Sequence, residues 1–341
     1  MCRFVVYKGT SPVELSHLLT QPCHSIIKQA FDCRLRLDRR RPMNGDGFGI
    51  GWYDSQAAYN EDSESSNQPC IFTSITPAWS NVNLVRLAEK IRSPLVFGHV
   101  RATTAGSLSL DNCHPFVHGR LMFMHNGGIA EFHIIKRRLQ ADLPDVVFNT
   151  VHGNTDSEWA FALFLSKLPD PSAKSFTTAI LRHAMSETIA SLNQYAEEAG
   201  VTEPSLMNFC VTDGETVIAT RYVSSKTDEA ASLWFSSGTT FSEFGGPGRG
   251  HYKMSKSDKR ENTIMIASEP LTFERADWME IKTNNMVVVT PKMNLLQIPI
   301  VDKFYVPPSD PAFQSRTTHL AREKGLLGPS GIEGVDEFEA E

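Results

Sequence analysis

The chain has 341 residues, 41% hydrophobic and 21% charged, with a formal net charge of −6. That length allows one large domain or two ordinary ones around a sizeable core, and the acidic balance argues against nucleic acid or an anionic membrane as partner. Six cysteines with no CxxC pair read as reduced thiols of a cytoplasmic protein; no apolar run nears the ~20 residues of a membrane span, and the start lacks a signal-peptide core.

In chain order, Arg3–Tyr7 reads as a short buried strand beginning almost at the N-terminus, which would hold the first residues in place. Phe48–Tyr53 is a second strand after the turn-rich Met43–Gly47, and the polar, acidic Asp54–Pro69 reads as a surface loop or insertion. Asn81–Ile91 fits a helix with Leu84, Val85, Leu87, Ala88 and Ile91 on one face. Leu95–Val100 and Leu121–His125 have strand length, and a helix is predicted over Gly128–Leu139. Ser157–Leu168 and Ser175–Ala199 show the apolar period of long helices. Strands follow at Leu206–Thr212, Thr216–Arg221, Leu233–Ser236, Thr263–Ala267, Met286–Thr290 and Leu295–Ile298, interrupted by a Gly-rich basic loop, Gly245–Lys259. One domain is expected over residues 2–300, with an acidic, disordered tail over 301–341. Strands, a central helical pair and strands again predict an α+β fold of helix-covered sheets rather than an alternating βαβ chain.

The chemistry begins at Cys2. An initiator Met before a small residue is commonly trimmed, which would put a thiol and an α-amine on one residue. That amine titrates near ~7.7–8.0 and can act as base for its own side chain. Three further segments carry polar groups at the ends of predicted elements: Gly98–Thr104 delivers Arg101, His125–Gly128 forms a sharp turn, and Asn154–Glu158 opens a helix. Together they suit hydrolysis of a γ-carboxamide on an α-amino acid. A thiolate attacks the carbonyl, the Asn126 side chain and Gly127 N–H hold the oxyanion, Arg101 pairs with the α-carboxylate and Asp156 with the α-ammonium. Each segment also has a structural reading. Arg101 fits an internal ion pair, His125–Gly128 a strand-to-helix turn, and Thr155–Glu158 a capping box with Asp156 stabilising the helix start. His99 and His125 read as core histidines, Gly45–Gly49 as a turn rather than a phosphate cradle, and no metal or cofactor is expected.

The order Cys2, Gly98-His99-Val100-Arg101, His125-Asn126-Gly127 and Thr155-Asp156-Ser157-Glu158 resembles the class II glutamine amidotransferases of the N-terminal-nucleophile hydrolases, over about residues 2–290. Ala267-Ser268-Glu269-Pro270 resembles a late strand of that family. The resemblance implies a four-layer αββα sandwich of two antiparallel sheets, with Cys2, Asn126 and Gly127 catalytic and Arg101, Asp156, Thr103 and Thr104 at the substrate. Where many synthetase-linked members carry Arg-Trp-Ala-Thr, Arg101 is followed by Ala102-Thr103-Thr104, leaving room beside the Arg, and where such members usually carry the synthetase downstream a short tail is read here. The run Arg34–Gly49 resembles the stand-alone fungal subunit of glutathione degradation, and a similar bacterial protein trims γ-glutamate from an ergothioneine precursor. Implied is hydrolysis of glutathione to glutamate and Cys-Gly beside a metallopeptidase-like partner. The Arg-rich run itself reads as a solvated face or an internal ion-pair network, or else one or two of Arg34, Arg36 and Arg39 hold the second carboxylate of a peptide-like substrate. The alternatives are a glutaminase subunit feeding ammonia from glutamine to an acceptor enzyme, and a non-catalytic partner-binding module.

Overall fold

Strand β1 (Arg3–Glu14) buries both of its faces from Phe4 to Tyr7 in the computed structural model, which describes residues 2–33, 43–54, 68–103, 107–257, 260–272 and 276–307. Side chains alternate across a strand, so one apolar run feeds two cores. Phe4 and Val6 pack with Phe97, Met122, Met124 and Val287, whereas Val5 and Tyr7 pack with Leu18, Ile26, Ile50 and Leu84. In β4 (Arg92–Val100), Leu95 and Phe97 join the first group and Val96 the second. In β6 (Leu121–Gly128), Met122 and Met124 face the first group, while Leu121 and Phe123 enter a third core with Phe161, Phe164 and Leu181.

These three cores separate four layers. The first sheet orders β13 (Met279–Glu280), β9 (Trp234–Gly238), β12 (Thr263–Ala267), β1, β4, β2 (Phe48–Tyr53) and β3 (Cys70–Ser74). The second orders β15 (Leu295–Pro299), β14 (Asn285–Val289), β8 (Val217–Arg221), β7 (Leu206–Thr212), β6 and β5 (Phe116–His118). Neighbouring strands pair antiparallel throughout both. Helices α1 (Ser16–Leu19), α2 (Ile26–Gln29) and α3 (Val82–Ala88) supply the outer core of the first sheet. On the second lie α4 (Phe132–Asp142), α5 (Asp145–Phe148), α6 (Asp156–Ser166) and α7 (Thr178–Glu198). The αββα sandwich implied by the resemblance is the observed fold. Among the described residues, no helix is long and apolar enough to cross a membrane.

Four local expectations change. His125–Gly128 is not a turn: β6 continues to Gly128, pairing Gly127 with Met207 and Gly128 with Leu206, and the following helix starts at Phe132. Asn and Gly favour turns, but here the approach of the β7 backbone outweighs that preference. β1 runs on to Glu14, past an irregularity between Lys8 and Val13. The Gly245–Lys259 loop contains β11 (Tyr252–Ser255), which pairs with β10 (Thr240–Glu243) as a two-stranded ribbon. Thr155 caps α6 by accepting from Glu158 N–H at 3.2 Å, yet Glu158 does not complete a capping box, since its carboxylate binds the N–H groups of His152 and Gly153 at 2.8 and 2.7 Å. Packing also continues beyond residue 300, where Asn284 Nδ2 donates to the Phe304 carbonyl at 3.0 Å and Tyr222 donates to Asp302. Most of Asp54–Pro69 and residues 308–341 lie outside the described residues.

Lys8 staples the two sheets by donating to the carbonyls of Glu215 and, at 2.7 Å, Thr290. Burial pushes its ammonium down to about 8 against the opposing pull of Asp213 and Glu215. Between about 8 and ~10.4 the unfolded chain therefore binds more protons at this site than the folded one, so its contribution to stability rises with pH. Compared with Lys8→Met in denaturant titrations, the wild type should gain on the order of 3 kcal/mol across that window. A difference that stays flat with pH would contradict the burial of the charge.

Candidate active site

Antiparallel pairing gathers strand starts and strand ends at one edge of the first sheet. Arg3 pairs with Val100 and Val100 with Phe48, so Cys2 before β1, Arg101 after β4 and Gly47 before β2 become neighbours. Val5 pairs with Ala267, which brings Ser268 to the same edge. Cys2 is buried, and its Sγ accepts from the Ala102 N–H at 3.4 Å and lies 3.6 Å from the Ala102 carbonyl.

Arg101 is held through its backbone. Its N–H donates to the Gly47 carbonyl at 2.8 Å, its carbonyl accepts from Asp46 N–H at 3.3 Å, and Asp46 Oδ2 accepts from Thr103 N–H at 2.7 Å. Gly47, at φ 110°, adopts a backbone that glycine takes without strain. The guanidinium is buried, and among the described residues it makes only long contacts of 3.5 Å to the carbonyls of Asp46 and Ser107 and forms no ion pair. An internal ion pair is thus not its role among the described residues. A buried, uncompensated cation is costly unless an anion joins it.

On the second sheet, Asn126 Nδ2 donates to Ser268 Oγ at 3.1 Å, and the same oxygen accepts from Phe4 N–H at 3.0 Å. That shared hydroxyl sets β6 against the Cys2 strand. Asp156 opens α6 beside the end of β6, where its Oδ2 accepts from Ile129 N–H and its Oδ1 from Ser157 N–H, both at 2.8 Å. It makes no ion pair with a cation among the described residues, so it presents a half-buried carboxylate at the helix N-terminus.

The two expected core histidines serve as packing and orientation. His99 Nε2 donates to the His125 carbonyl at 3.1 Å, and His125 Nε2 to the Leu206 carbonyl at 2.9 Å. Burial pushes His99 down to about 3 and lowers His125, which Asp156 opposes. His114 packs against His99 at a tilt of 31° with ring centroids 4.1 Å apart and is driven well below its ordinary value, first by burial. Burial thus disfavours the charged form of all three rings.

Cys2, Arg101 and Thr103 thus lie at one edge of the first sheet, Asn126 reaches that edge through Ser268, and Gly127 and Asp156 lie at the end of β6; Thr104 and Arg34, Arg36 and Arg39 lie outside the described residues. Arg3, His24 and the side chains of Ser268 and Glu269 also join the site, without having stood out in the sequence. Arg3 Nε donates to Glu269 Oε1 and Arg3 Nη1 to the Cys2 carbonyl, each at 2.9 Å. A charged residue inside a run of buried strand residues was the signal available. A groove of about 520 Å³ between α7 and the β15 edge contains none of the site residues.

The chain matches the family described as class-II glutamine amidotransferases over residues 15–233. It is 51% identical to "Probable glutamine amidotransferase DUG3" of Saccharomyces cerevisiae over 338 residues, covering 96% of this chain and 91% of that one. It is 27% identical to the gamma-glutamyl-hercynylcysteine sulfoxide hydrolase of Mycolicibacterium smegmatis over 128 residues, 37% of this chain and 51% of that one. Two solved structures share the fold. A glutamine aminotransferase class-II domain protein from Silicibacter pomeroyi aligns at a TM-score of 0.57 and 22% identity, covering 88% of this chain and all of the other. The allosteric regulatory enzyme of purine biosynthesis aligns at 0.52 and 13%, covering 88% of this chain and 49% of that one. The chain belongs to the class II glutamine amidotransferases and is an enzyme of that family.

Proposed function

We propose that the protein hydrolyses the γ-glutamyl amide of glutathione, releasing glutamate and Cys-Gly, and works beside a metallopeptidase-like subunit. The observation that carries this reading is the seat of Cys2 at the start of a central strand, beside a buried Arg101 that lacks an anion among the described residues. The likeness to a hydrolase named for a γ-glutamyl compound supports the same chemistry.

Once Met1 is removed, the Cys2 amine accepts the thiol proton and the thiolate adds to the γ-carbonyl. Asn126 and Gly127 N–H groups stabilise the oxyanion. The Cys2 ammonium protonates the leaving amine, and water then hydrolyses the γ-glutamyl thioester to free the thiol and glutamate. Arg101 pairs with the α-carboxylate, with Thr103 beside it, and Asp156 pairs with the α-ammonium. Glutathione and glutamine share this amino-acid end, so the same residues serve both. A second reading, supported by the family, is a glutaminase that passes ammonia to an acceptor enzyme.

Removing one member of a buried charge pair costs about 2–5 kcal/mol. Arg101→Ala should therefore lower kcat/KM for γ-glutamyl substrates by about 30-fold to several thousand-fold. With 4-aminobutyramide, which has no α-carboxylate, wild type and variant should be equally slow. Equal losses on both substrates would remove Arg101 from the carboxylate.

A further inference from the structure

Ser268 and Glu269 follow the last residue of β12 and touch both halves of the site. Ser268 Oγ bridges Phe4 N–H and Asn126 Nδ2, and Ser268 N–H donates to the Phe4 carbonyl at 2.9 Å. Glu269, fully buried, accepts from Arg3 Nε at 2.9 Å, and its other oxygen lies 2.9 Å from His24 Nε2. Gln29 Nε2 donates to the carbonyls of His24 and Glu269 at 3.0 and 3.1 Å, closing the network from below.

A buried ion pair adds little net stability over a well-packed apolar replacement, so stability does not account for this arrangement. Its geometry does. The Arg3 guanidinium grips the carbonyl of the residue that bears the thiol, and Glu269 orients that guanidinium. An amide nitrogen carries two protons. One proton of Asn126 Nδ2 is engaged by Ser268, which fixes the amide plane and leaves the other for a ligand.

We propose that Ser268 and Glu269 form a positioning pair: Ser268 sets the plane of the Asn126 amide, and Glu269, through Arg3, sets the backbone of Cys2. The pair keeps nucleophile and oxyanion donor in register across two separate sheets. This rests on the reading of Asn126 as an oxyanion donor.

Two reactions separate the arms, each run on full-length chain with Met1 removal verified by mass. Alkylation of Cys2 by iodoacetamide, followed at the Cys2 peptide, forms no oxyanion and reads the nucleophile alone. Glutamate release from glutathione or glutamine reads both. Ser268→Ala should alkylate within about twofold of wild type while kcat falls about 10–100-fold at unchanged KM. Glu269→Gln should alkylate about tenfold more slowly. Arg3→Lys, which keeps the charge but not the fork, should do the same, and it serves as the nucleophile-arm test if Glu269→Gln fails to fold. Wild-type kcat in Ser268→Ala overturns the proposal, as does a parallel loss of alkylation and kcat in that variant or wild-type alkylation in the Glu269 and Arg3 variants. If the wild type alkylates at Cys2 but releases no glutamate, the substrate reading fails, and the alkylation rates of the Glu269 and Arg3 variants then decide the proposal.

Discussion

Cys2→Ala is expected to reduce glutamate release by about 10⁴-fold or more, since a nucleophile acting with its base as one unit loses nearly everything when removed. The thiol is buried against Ala102 with a contact of 3.4 Å, so the substitution should leave the fold and its melting temperature close to wild type. A companion variant separates thiol from amine. Inserting a Glu between Met1 and Cys2 keeps the Met and ties the Cys2 nitrogen into a peptide bond. The thiol remains, but its base is gone. Turnover should fall as far as in Cys2→Ala, while the thiol stays open to alkylation. An extended chain that still turns over would mean that another group accepts the thiol proton.

Gly127→Ala should be the most damaging single methyl in the site. A Cβ there would stand 1.9 Å from the Leu206 carbonyl and 2.7 Å from His125 Nε2, two groups already joined by a 2.9 Å hydrogen bond. Neither can yield without moving β6 from β7. Overpacking of this kind costs about 3 kcal/mol, and displacing the strand that bears Asn126 should lower kcat by about 10²–10³-fold. The neighbouring glycine is the control. At Gly128 the nearest atom to a Cβ is Asp156 Oδ2 at 3.9 Å, so Gly128→Ala should change stability by under about 1 kcal/mol. Equal melting temperatures for the two variants would contradict the close approach of β7 at Gly127.

The residues that carry chemistry were legible because polar groups stood at the ends of apolar runs: Cys2 before Phe4–Tyr7, Arg101 after Leu95–Val100, Asn126 after Leu121–His125. The layers were legible for a related reason, since strands buried on both faces leave unbroken hydrophobic stretches. Pairing across long distances was not. Arg3 looked like one more strand residue because its partner Glu269 lies 266 positions away. Asn126-Gly127-Gly128 looked like a turn because its composition favours one, and pairing with β7 overrode that local preference. The β10–β11 ribbon was hidden by the glycines between its strands, although buried Tyr252 and Met254 flank exposed Lys253 in strand alternation.

Glutamate release from glutathione and from glutamine, measured side by side with Cys2→Ala as the blank, decides whether the protein is a γ-glutamyl peptide hydrolase. Turnover of glutathione, with Cys-Gly as co-product, should vanish in the blank. Turnover of glutamine with none of glutathione would contradict that assignment and point to an ammonia donor.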